Sequence, residues 1–424
     1  MRPADNQVLC RVEGEAPMGQ LMRGHWLPAC MSEEVAEPDG APVRARLLGS
    51  DLVVFRDSQG RVGVMDERCP HRGASLFFGR NEDCGLRCLY HGWKFAVDGE
   101  ILEMASEPEG SPMRNLRHRA YPAEEAGGFV WVWMGAADAA RDFQPPAWAP
   151  TPTTKVSIVK MHAACNWAQV LEGSIDSAHS SSLHSSNMPT AEVTGSTATE
   201  TAWLRPSADK APRLEAELTD YGFHYAAIRT PIVDPETHVY IRTTLFIAPF
   251  TVLIPPNDQY NLAQMLVPMD DVNCMFYWVA WHETKGIAQD AWRRFCAAEV
   301  GVDLDTDYRK LRTLENNYRQ DRAAMREGDF TGIEGIPVQD MAMWESMGPI
   351  ADRSQDHLGS SDVAIVQFRR QMVAAAKAVA AGEPAIGVRS ATRQVDLASF
   401  EGVVPKGADW RTFSTRRGRR QAAE

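Results

Sequence analysis

Over short runs, the first third of the chain alternates apolar and polar residues with a period of two. Residues 45–58 (ARLLGSDLVVFRDS) and 61–66 read as strands, and GGFVWVWMG (127–135) as a closing strand. Between them WKFAVDGEIL (93–102) reads as a hairpin turning at Asp98-Gly99. The proline-rich run FQPPAWAPTPTTK (143–155) interrupts any regular element and sets the predicted boundary between domains at 1–150 and 151–424. Beyond it a helical segment is expected around 165–184. Strands follow near 213–219, 223–230, 237–247, 259–268 and 274–283, and their short connections imply an antiparallel sheet. After residue 284 the pattern turns helical, through 288–300 and 305–327. It ends in SSDVAIVQFRRQMVAAAKAVAAG (360–382), which Ser360 or Ser361 can cap and Gly382 can end. The expected class is α+β: an all-β N-terminal domain, then a helix-grip C-terminal domain in which an antiparallel sheet holds a long helix.

Bulk properties narrow the picture. No apolar run at the N-terminus resembles a signal peptide, and no 18-residue apolar stretch occurs elsewhere, so a soluble cytoplasmic protein without a membrane anchor is expected. Eight cysteines scattered over 424 residues do not form a disulfide framework, which fits a reducing compartment. The net charge of −12 argues against a nucleic-acid partner. The basic end TRRGRRQAAE (415–424) reads as solvated and mobile.

Two short segments carry the chemistry. CPHRG (69–73) and CLYHGW (88–93) each offer one thiolate and one imidazole: Cys69 with His71, and Cys88 with His91. A Rieske [2Fe–2S] centre needs two of each, with the cysteines on one iron and the histidines on the other. The neutral histidines lower the negative charge and make the cluster a readier electron acceptor. Structural zinc uses the same residue types, but its fingers pair cysteines in one half and histidines in the other. Here each half holds one of each, and each is followed by a glycine, Gly73 and Gly92. Cys84 lies outside both motifs and reads as a packed thiol.

A second metal site is suggested by CNWAQVLEGSIDSAHSSSLH (165–184). Asp176 and His179 are three apart, on one face if the segment is helical, and His184 comes within reach if the helix loosens at Ser180–Ser182. Two histidines and a carboxylate on one side of an iron leave the opposite positions open, as in non-haem Fe(II) oxygenases. The distant carboxylate has candidates in ADRSQDHLGSSD (351–362): Asp352, Asp356 and Asp362. Glu172, four residues before Asp176, would crowd it unless a cation compensates.

With these residues in hand, the chain resembles the α subunits of Rieske non-haem iron ring-hydroxylating oxygenases. CPHRG, CLYHGW and NWxxxxExxxDxxHxxxxH (Asn166 to His184) carry the likeness, in that order. The resemblance implies that His179 and His184 bind a mononuclear Fe(II), that Asp356 is the carboxylate ligand, and that Asp176 carries electrons from His91 of a neighbouring subunit. Respiratory Rieske proteins have an extra cysteine in each loop, where Ala74 and Tyr90 stand here. The opening VEGEAPMGQLMRGHWLPAC (12–30) and the DRSQDHLGSSDVAIVQFRR stretch look most like the phthalate dioxygenase group. That likeness implies assemblies of this subunit alone, a homotrimer or stacked-trimer hexamer, served by a separate flavin and iron–sulfur reductase that uses NAD(P)H.

An aromatic carboxylate requires a cation in an otherwise apolar pocket, and the planar fork of arginine suits it. Arg205, Arg229 and Arg242 lie on or beside the predicted sheet, and alternation puts Arg242 on one face with Tyr240 and Thr244. The resemblance favours Arg205 and Arg242 as the pair that grips a phthalate-like substrate, which would be cis-dihydroxylated with O₂. Two alternatives share the scaffold: a monooxygenase or O-demethylase acting on a substituted aromatic acid, and an electron-transfer module with a degenerate second site.

Overall fold

A computed structural model describes residues 1–136, 140–191, 197–198, 203–255 and 260–423. The chain divides into two units, Val12–Gln144 and a second comprising Met1–Arg11 with Pro145–Glu424. The first eleven residues thus belong with the C-terminal unit and not, as the linear reading had it, with the N-terminal domain. The reason is helix α1 (Pro3–Cys10). It buries Leu9 and Cys10, its Asn6 donates to the Ala351 carbonyl at 3.0 Å, and its Asp5 pairs with Lys377 at 2.6 Å.

In the Val12–Gln144 unit, α2 (Pro17–Arg23) precedes β1 (Trp26–Met31), β2 (Val43–Leu47), β3 (Ser50–Arg56) and β4 (Val62–Asp66). There follow β5 (Arg80–Glu82), β6 (Gly85–Arg87), β7 (Lys94–Phe95), β8 (Ile101–Glu103), β9 (Ala120–Tyr121), β10 (Ala123–Ala126) and β11 (Phe129–Trp133). They form three small antiparallel sheets, β1-β11-β10, β2-β3-β4-β9 and β5-β6-β7-β8. The hairpin at Asp98-Gly99 forms as its sequence predicts: Gly99 has φ 81° and its N–H bonds the Ala96 carbonyl at 2.9 Å. Val53, Phe55, Met65, Leu76, Leu86, Trp93 and Phe95 make the core, and Cys69 and Cys88 are part of it. Cys84 is not packed there. It is half-buried in the β5–β6 turn, where Asp83 and Cys84 both have positive φ.

The other unit is built on one antiparallel sheet. Its strands are β12 (Lys155–Ala163), β15 (Arg213–Leu218), β16 (Gly222–Arg229), β17 (His238–Ile247), β18 (Thr251–Ile254), β19 (Asn261–Pro268), β20 (Cys274–His282) and β21 (Phe400–Pro405). A small pair, β13 (Thr197–Ala198) and β14 (Trp203–Leu204), lies apart from it. The order is β12-β20-β19-β18-β17-β16-β15, with β21 also paired to β17. Five of these strands match sequence expectation, except that residue 259 lies outside the described residues; β12, β18 and β21 were not anticipated. Helices α3 (Trp167–Ser174), α4 (Gln289–Phe295), α5 (Arg322–Arg326), α6 (Ile336–Ser346), α7 (Val363–Ala380) and α8 (Arg416–Ala423) complete the unit. The long helix α7 lies where the helix-grip reading expected it. Phe368 meets Phe246 of the sheet and Trp167 of α3 edge-on, at 5.4 and 5.8 Å.

Two further expectations fail, each for a physical reason. The predicted helix over 305–327 is mostly turns, with left-handed backbone at Asn317, Tyr318 and Arg319. There the Tyr318 hydroxyl is held by the buried Glu345 carboxylate. Conversely, α6 is a helix that the periodicity did not reveal. The basic end is not wholly solvated: α8 docks, with Arg416 over the Trp281 ring at 4.7 Å and bonded to the Ala147 carbonyl at 2.8 Å. Among the described residues, no helix is long and apolar enough to cross a membrane.

Candidate metal centres and substrate cleft

The two CxH-type loops repeat one backbone device. The carbonyl of Cys69 accepts the N–H of Gly73 at 2.8 Å, and that of Cys88 accepts the N–H of Gly92 at 3.0 Å. Both glycines have positive φ, 72° and 74°, which explains why glycine follows each ligand pair. Each loop buries its cysteine and turns its histidine outward: Cys69 and Cys88 are within the core, while His71 and His91 are half-buried with ring centroids 4.3 Å apart. His71 stacks on the buried Trp93 ring at 4.7 Å, which fixes its plane. Its Nδ1 is buried and has no hydrogen-bond partner among the described residues, as befits an atom meant for a metal.

The thiols of Cys69 and Cys88 interact with each other, and the rings of His71 and His91 meet edge-on at 4.3 Å, so the donors fall into one thiolate pair and one imidazole pair. That division suits a two-iron Rieske cluster, which takes its cysteines on one iron and its histidines on the other.

The second centre begins at the end of α3. Asn166 caps this helix by accepting the Ala168 N–H at 3.0 Å. Gly173 lets it approach α6, because a Cβ there would fall 2.1 Å from Trp344 Nε1. The helix stops at Ser174, so Asp176 and His179 do not share a regular helical face as expected. Instead Asp176 Oδ1 accepts the N–H groups of Ala178 (2.8 Å) and His179 (3.3 Å), turning the chain so that Oδ2 lies 3.6 Å from His179 Nδ1. Burial would raise the Asp176 carboxyl, but the His179 ring and these two N–H groups outweigh it and hold it below its ordinary value. Nor does Glu172 crowd Asp176: it is taken up by Arg353 at 2.8 Å and Arg369 at 2.8 Å.

His179 Nε2 and His184 Nε2 are 3.2 Å apart, and Asp340 Oδ1 lies 3.4 and 3.1 Å from them. Asp340 Oδ1 is buried without a hydrogen-bond partner among the described residues. With both Nε2 atoms as lone pairs, these three atoms would repel one another unless a cation lay between them. Burial depresses the His179 imidazole, yet Asp176 and Asp340 together hold it above its ordinary value, so positive charge is favoured here. The donor set, two imidazoles and one carboxylate on one side, suits Fe(II).

The carboxylate that the structure sets beside His179 and His184 is Asp340, and not Asp356 as expected. Asp356 pairs with Arg369 at 2.7 Å, beside Glu172. Asp352 accepts the backbone N–H and hydroxyl of Ser354, at 3.0 and 2.7 Å, and Asp362 accepts the Gly359 N–H at 2.6 Å. All three candidates of the 351–362 segment have other work. A signal for Asp340 did exist in GIPVQDMAMWES: Gly335 and Pro337 mark a helix start, and an acid then sits among apolar residues that pack inward.

A cleft adjoins this centre. Met188, Tyr225, Arg242, Thr244, Gln264 and Trp344 are among its lining residues. Arg242 is buried, with Nε and Nη1 lacking hydrogen-bond partners among the described residues. Arg205 does not line this cleft; it donates to Ser181 Oγ at 2.8 Å and to the Ser180 carbonyl, behind the residues that do. Arg229 donates to the Ser177 carbonyl at 2.7 Å. Burial, and then Arg242, lower Arg205 to about 10 and push Arg229 down as well. Glu401, which accepts a hydrogen bond from Tyr240, acts on Arg242 in the opposite sense. Sequence reasoning did not single it out.

The profile of the Rieske [2Fe-2S] domain matches residues 25–117, and that described as LigXa C-terminal domain like matches residues 132–424. The phthalate 4,5-dioxygenase oxygenase subunit of Pseudomonas putida is 56% identical over 98% of this chain and 95% of its own length. The 3-chlorobenzoate-3,4-dioxygenase oxygenase subunit of Comamonas testosteroni is 38% identical over 96% of each. Among solved structures, dicamba monooxygenase bound to dicamba shares the fold with TM-score 0.57 at 18% identity, over 85% of this chain and 98% of that one. A Rieske cluster frame, a separate two-histidine, one-carboxylate centre, and these matches over nearly the whole length lead to one conclusion: the chain belongs to the Rieske non-haem iron oxygenases, as an oxygenase subunit with a Rieske [2Fe–2S] domain and a mononuclear-iron catalytic domain.

Proposed function

We propose that this subunit cis-dihydroxylates an aromatic carboxylate of the phthalate type, using O₂ and electrons from a separate NAD(P)H-dependent flavin and iron–sulfur reductase. The observation that carries this reading is Arg242, a buried guanidinium on the cleft beside the metal-ligand triad, with two N–H-bearing nitrogens unengaged by hydrogen bonds. A buried cation so placed favours an anionic ligand. Arg205 and Arg229 add positive potential to the same region, and a dicarboxylate answers that excess better than a neutral arene would. The 56%-identical relative, whose name specifies phthalate, supports the same substrate class.

Cys69, His71, Cys88 and His91 would hold the cluster, and His179, His184 and Asp340 the mononuclear iron. When bound, the cluster supplies electrons one at a time and the iron supplies the place where O₂ is activated. The protein's part is to orient and to shield. Arg242 would fix the carboxylate end of the ring, leaving the distal edge toward the triad. Thr244, Trp344 and Tyr225 would exclude water around it. Asp176, partly exposed and next to His179, would bridge His91 of a neighbouring subunit to the mononuclear centre, so that the electron passes from cluster to iron through that contact. That route calls for a homotrimer or stacked-trimer hexamer, in the cytoplasm with its reductase.

The test is a screen of phthalate, isophthalate, terephthalate and simple benzoates with a reductase, NAD(P)H and labelled O₂. Coupled O₂ uptake with both labelled atoms in the product of an aromatic dicarboxylate is expected. One labelled atom, or formaldehyde from a methoxylated acid, would replace this reading with a monooxygenase or O-demethylase.

A further inference from the structure

The neighbour of Asp340 in sequence settles something about His184. Gln339 is 1% exposed on α6, and all its amide positions are engaged. Its Nε2 lies 2.8 Å from the Ile333 carbonyl oxygen and 3.0 Å from Asn187 Oδ1, and its Oε1 lies 2.7 Å from His184 Nδ1. A carbonyl can only accept, so the Ile333 contact forces the nitrogen of the amide to that side; the reverse orientation would press two oxygens together at 2.8 Å. Oε1 then faces His184, and Nδ1 must carry the hydrogen. In the neutral ring His184 Nε2 is then the lone pair, aimed at Asp340 Oδ1 and His179 Nε2, 3.1 and 3.2 Å away.

We propose that Gln339 is a positioning residue of the mononuclear centre: anchored by the Ile333 carbonyl, it locks His184 in the tautomer whose Nε2 can bind metal. One helix thus presents a ligand, Asp340, and sets the orientation of another. An acceptor on the far nitrogen of a ligating imidazole fixes its plane and raises its basicity, and its loss weakens metal binding roughly 10- to 100-fold. The inference rests on the metal-centre reading above.

Titration of the cluster-loaded, mononuclear-site-stripped protein with Co(II), followed by its visible absorption, tests it. Gln339→Leu is expected to weaken Co(II) binding by about tenfold or more, while the cluster spectrum and thermal midpoint stay near wild type. Gln339→Glu keeps an acceptor for the Nδ1 hydrogen, and its second oxygen, when protonated, donates to the Ile333 carbonyl in place of the amide; it is expected to bind Co(II) more tightly than the Leu variant, a rescue that a purely volumetric role for Gln339 would not produce. Asn187→Ala leaves the Ile333 anchor in place and is expected to bind as wild type does. A Leu variant with wild-type affinity overturns the proposal, as does a Glu variant as weak as the Leu one. Should the Leu side chain prevent folding, Gln339→Met, linear like glutamine, reads the same loss. If the wild-type protein itself takes up no Co(II), it is the metal-centre reading that fails, and the two failures are told apart.

Discussion

Arg242 on β17 and Glu401 on β21 face each other across paired strands, with Nη1 and Oε2 3.8 Å apart and both side chains buried. That separation gives attraction without a hydrogen bond. Glu401 accepts instead from the Tyr240 hydroxyl, and Arg242 Nε and Nη1 have no hydrogen-bond partner among the described residues. The carboxylate stabilises the buried guanidinium while leaving its donors to a ligand.

Arg242→Lys tests that arrangement, because it keeps the charge and removes the fork. A lost charge-assisted hydrogen bond is worth about 1.5–3 kcal/mol. The Kd for a phthalate-type ligand should therefore rise tenfold or more, with kcat at saturation changed less and the cluster spectrum unaltered. Wild-type affinity in this variant would place the carboxylate elsewhere.

Asp340 and Asp356 give a sharper contrast. Asp340→Ala is expected to lose the mononuclear iron while retaining the two cluster irons, measured by iron content and by the cluster's visible spectrum. Asp356→Asn should keep all three irons, since its carboxylate serves Arg369. Iron loss in the Asp356 variant alone would reverse the assignment.

The contrast also marks what was legible in the chain. The cluster frame is readable because each loop carries its ligands within a few residues and closes on a glycine, as Gly73 and Gly92 do. His179 and His184 are similarly local. Asp340 lies more than 150 residues from them in sequence, on a helix whose faces are nearly all buried, so no amphipathic period announces it. The acids of 351–362 looked equivalent because ion pairing to Arg369 leaves no mark on sequence. Alternation did place Arg242 and Thr244 together on the cleft face of β17. Glu401 escaped notice because its strand joins β17 only through tertiary pairing.

Glu345 shows what steadies α6 from its other end. The buried carboxylate accepts from Lys310 Nζ at 2.7 Å, from the Ala164 N–H at 2.8 Å and from the Tyr318 hydroxyl. Removing it strands the Lys310 ammonium, itself 7% exposed, and an uncompensated buried charge of this kind is strongly destabilising, by about 3–5 kcal/mol. Glu345→Ala should lower the thermal midpoint markedly. It should also reduce iron occupancy at the Asp340 centre, because the same helix carries that ligand. A double variant with Lys310→Met should recover part of the stability, and a purely additive loss would show that the pair does not act as a unit.

His118 sets a pH dependence in the cluster-bearing unit. Its ring is buried beside Phe95, with Nε2 2.7 Å from the Asp66 carbonyl oxygen, so that nitrogen carries the hydrogen in the neutral form. Burial pushes the imidazole below its ordinary 6.5, and the Asp66 carbonyl only partly opposes this. With a folded value below the unfolded one, the unfolded chain binds more protons. Stability from this group is therefore complete above about pH 6.5 and declines as pH falls toward the depressed folded value, at most about 1.4 kcal/mol per pH unit for one proton. His118→Gln keeps a donor for Asp66 and cannot titrate. Its thermal midpoint, followed through the cluster's visible absorption, should fall less steeply than wild type between pH 6.5 and 5. The same buffer series controls for titration elsewhere, and identical slopes in the two proteins would remove His118 from the account.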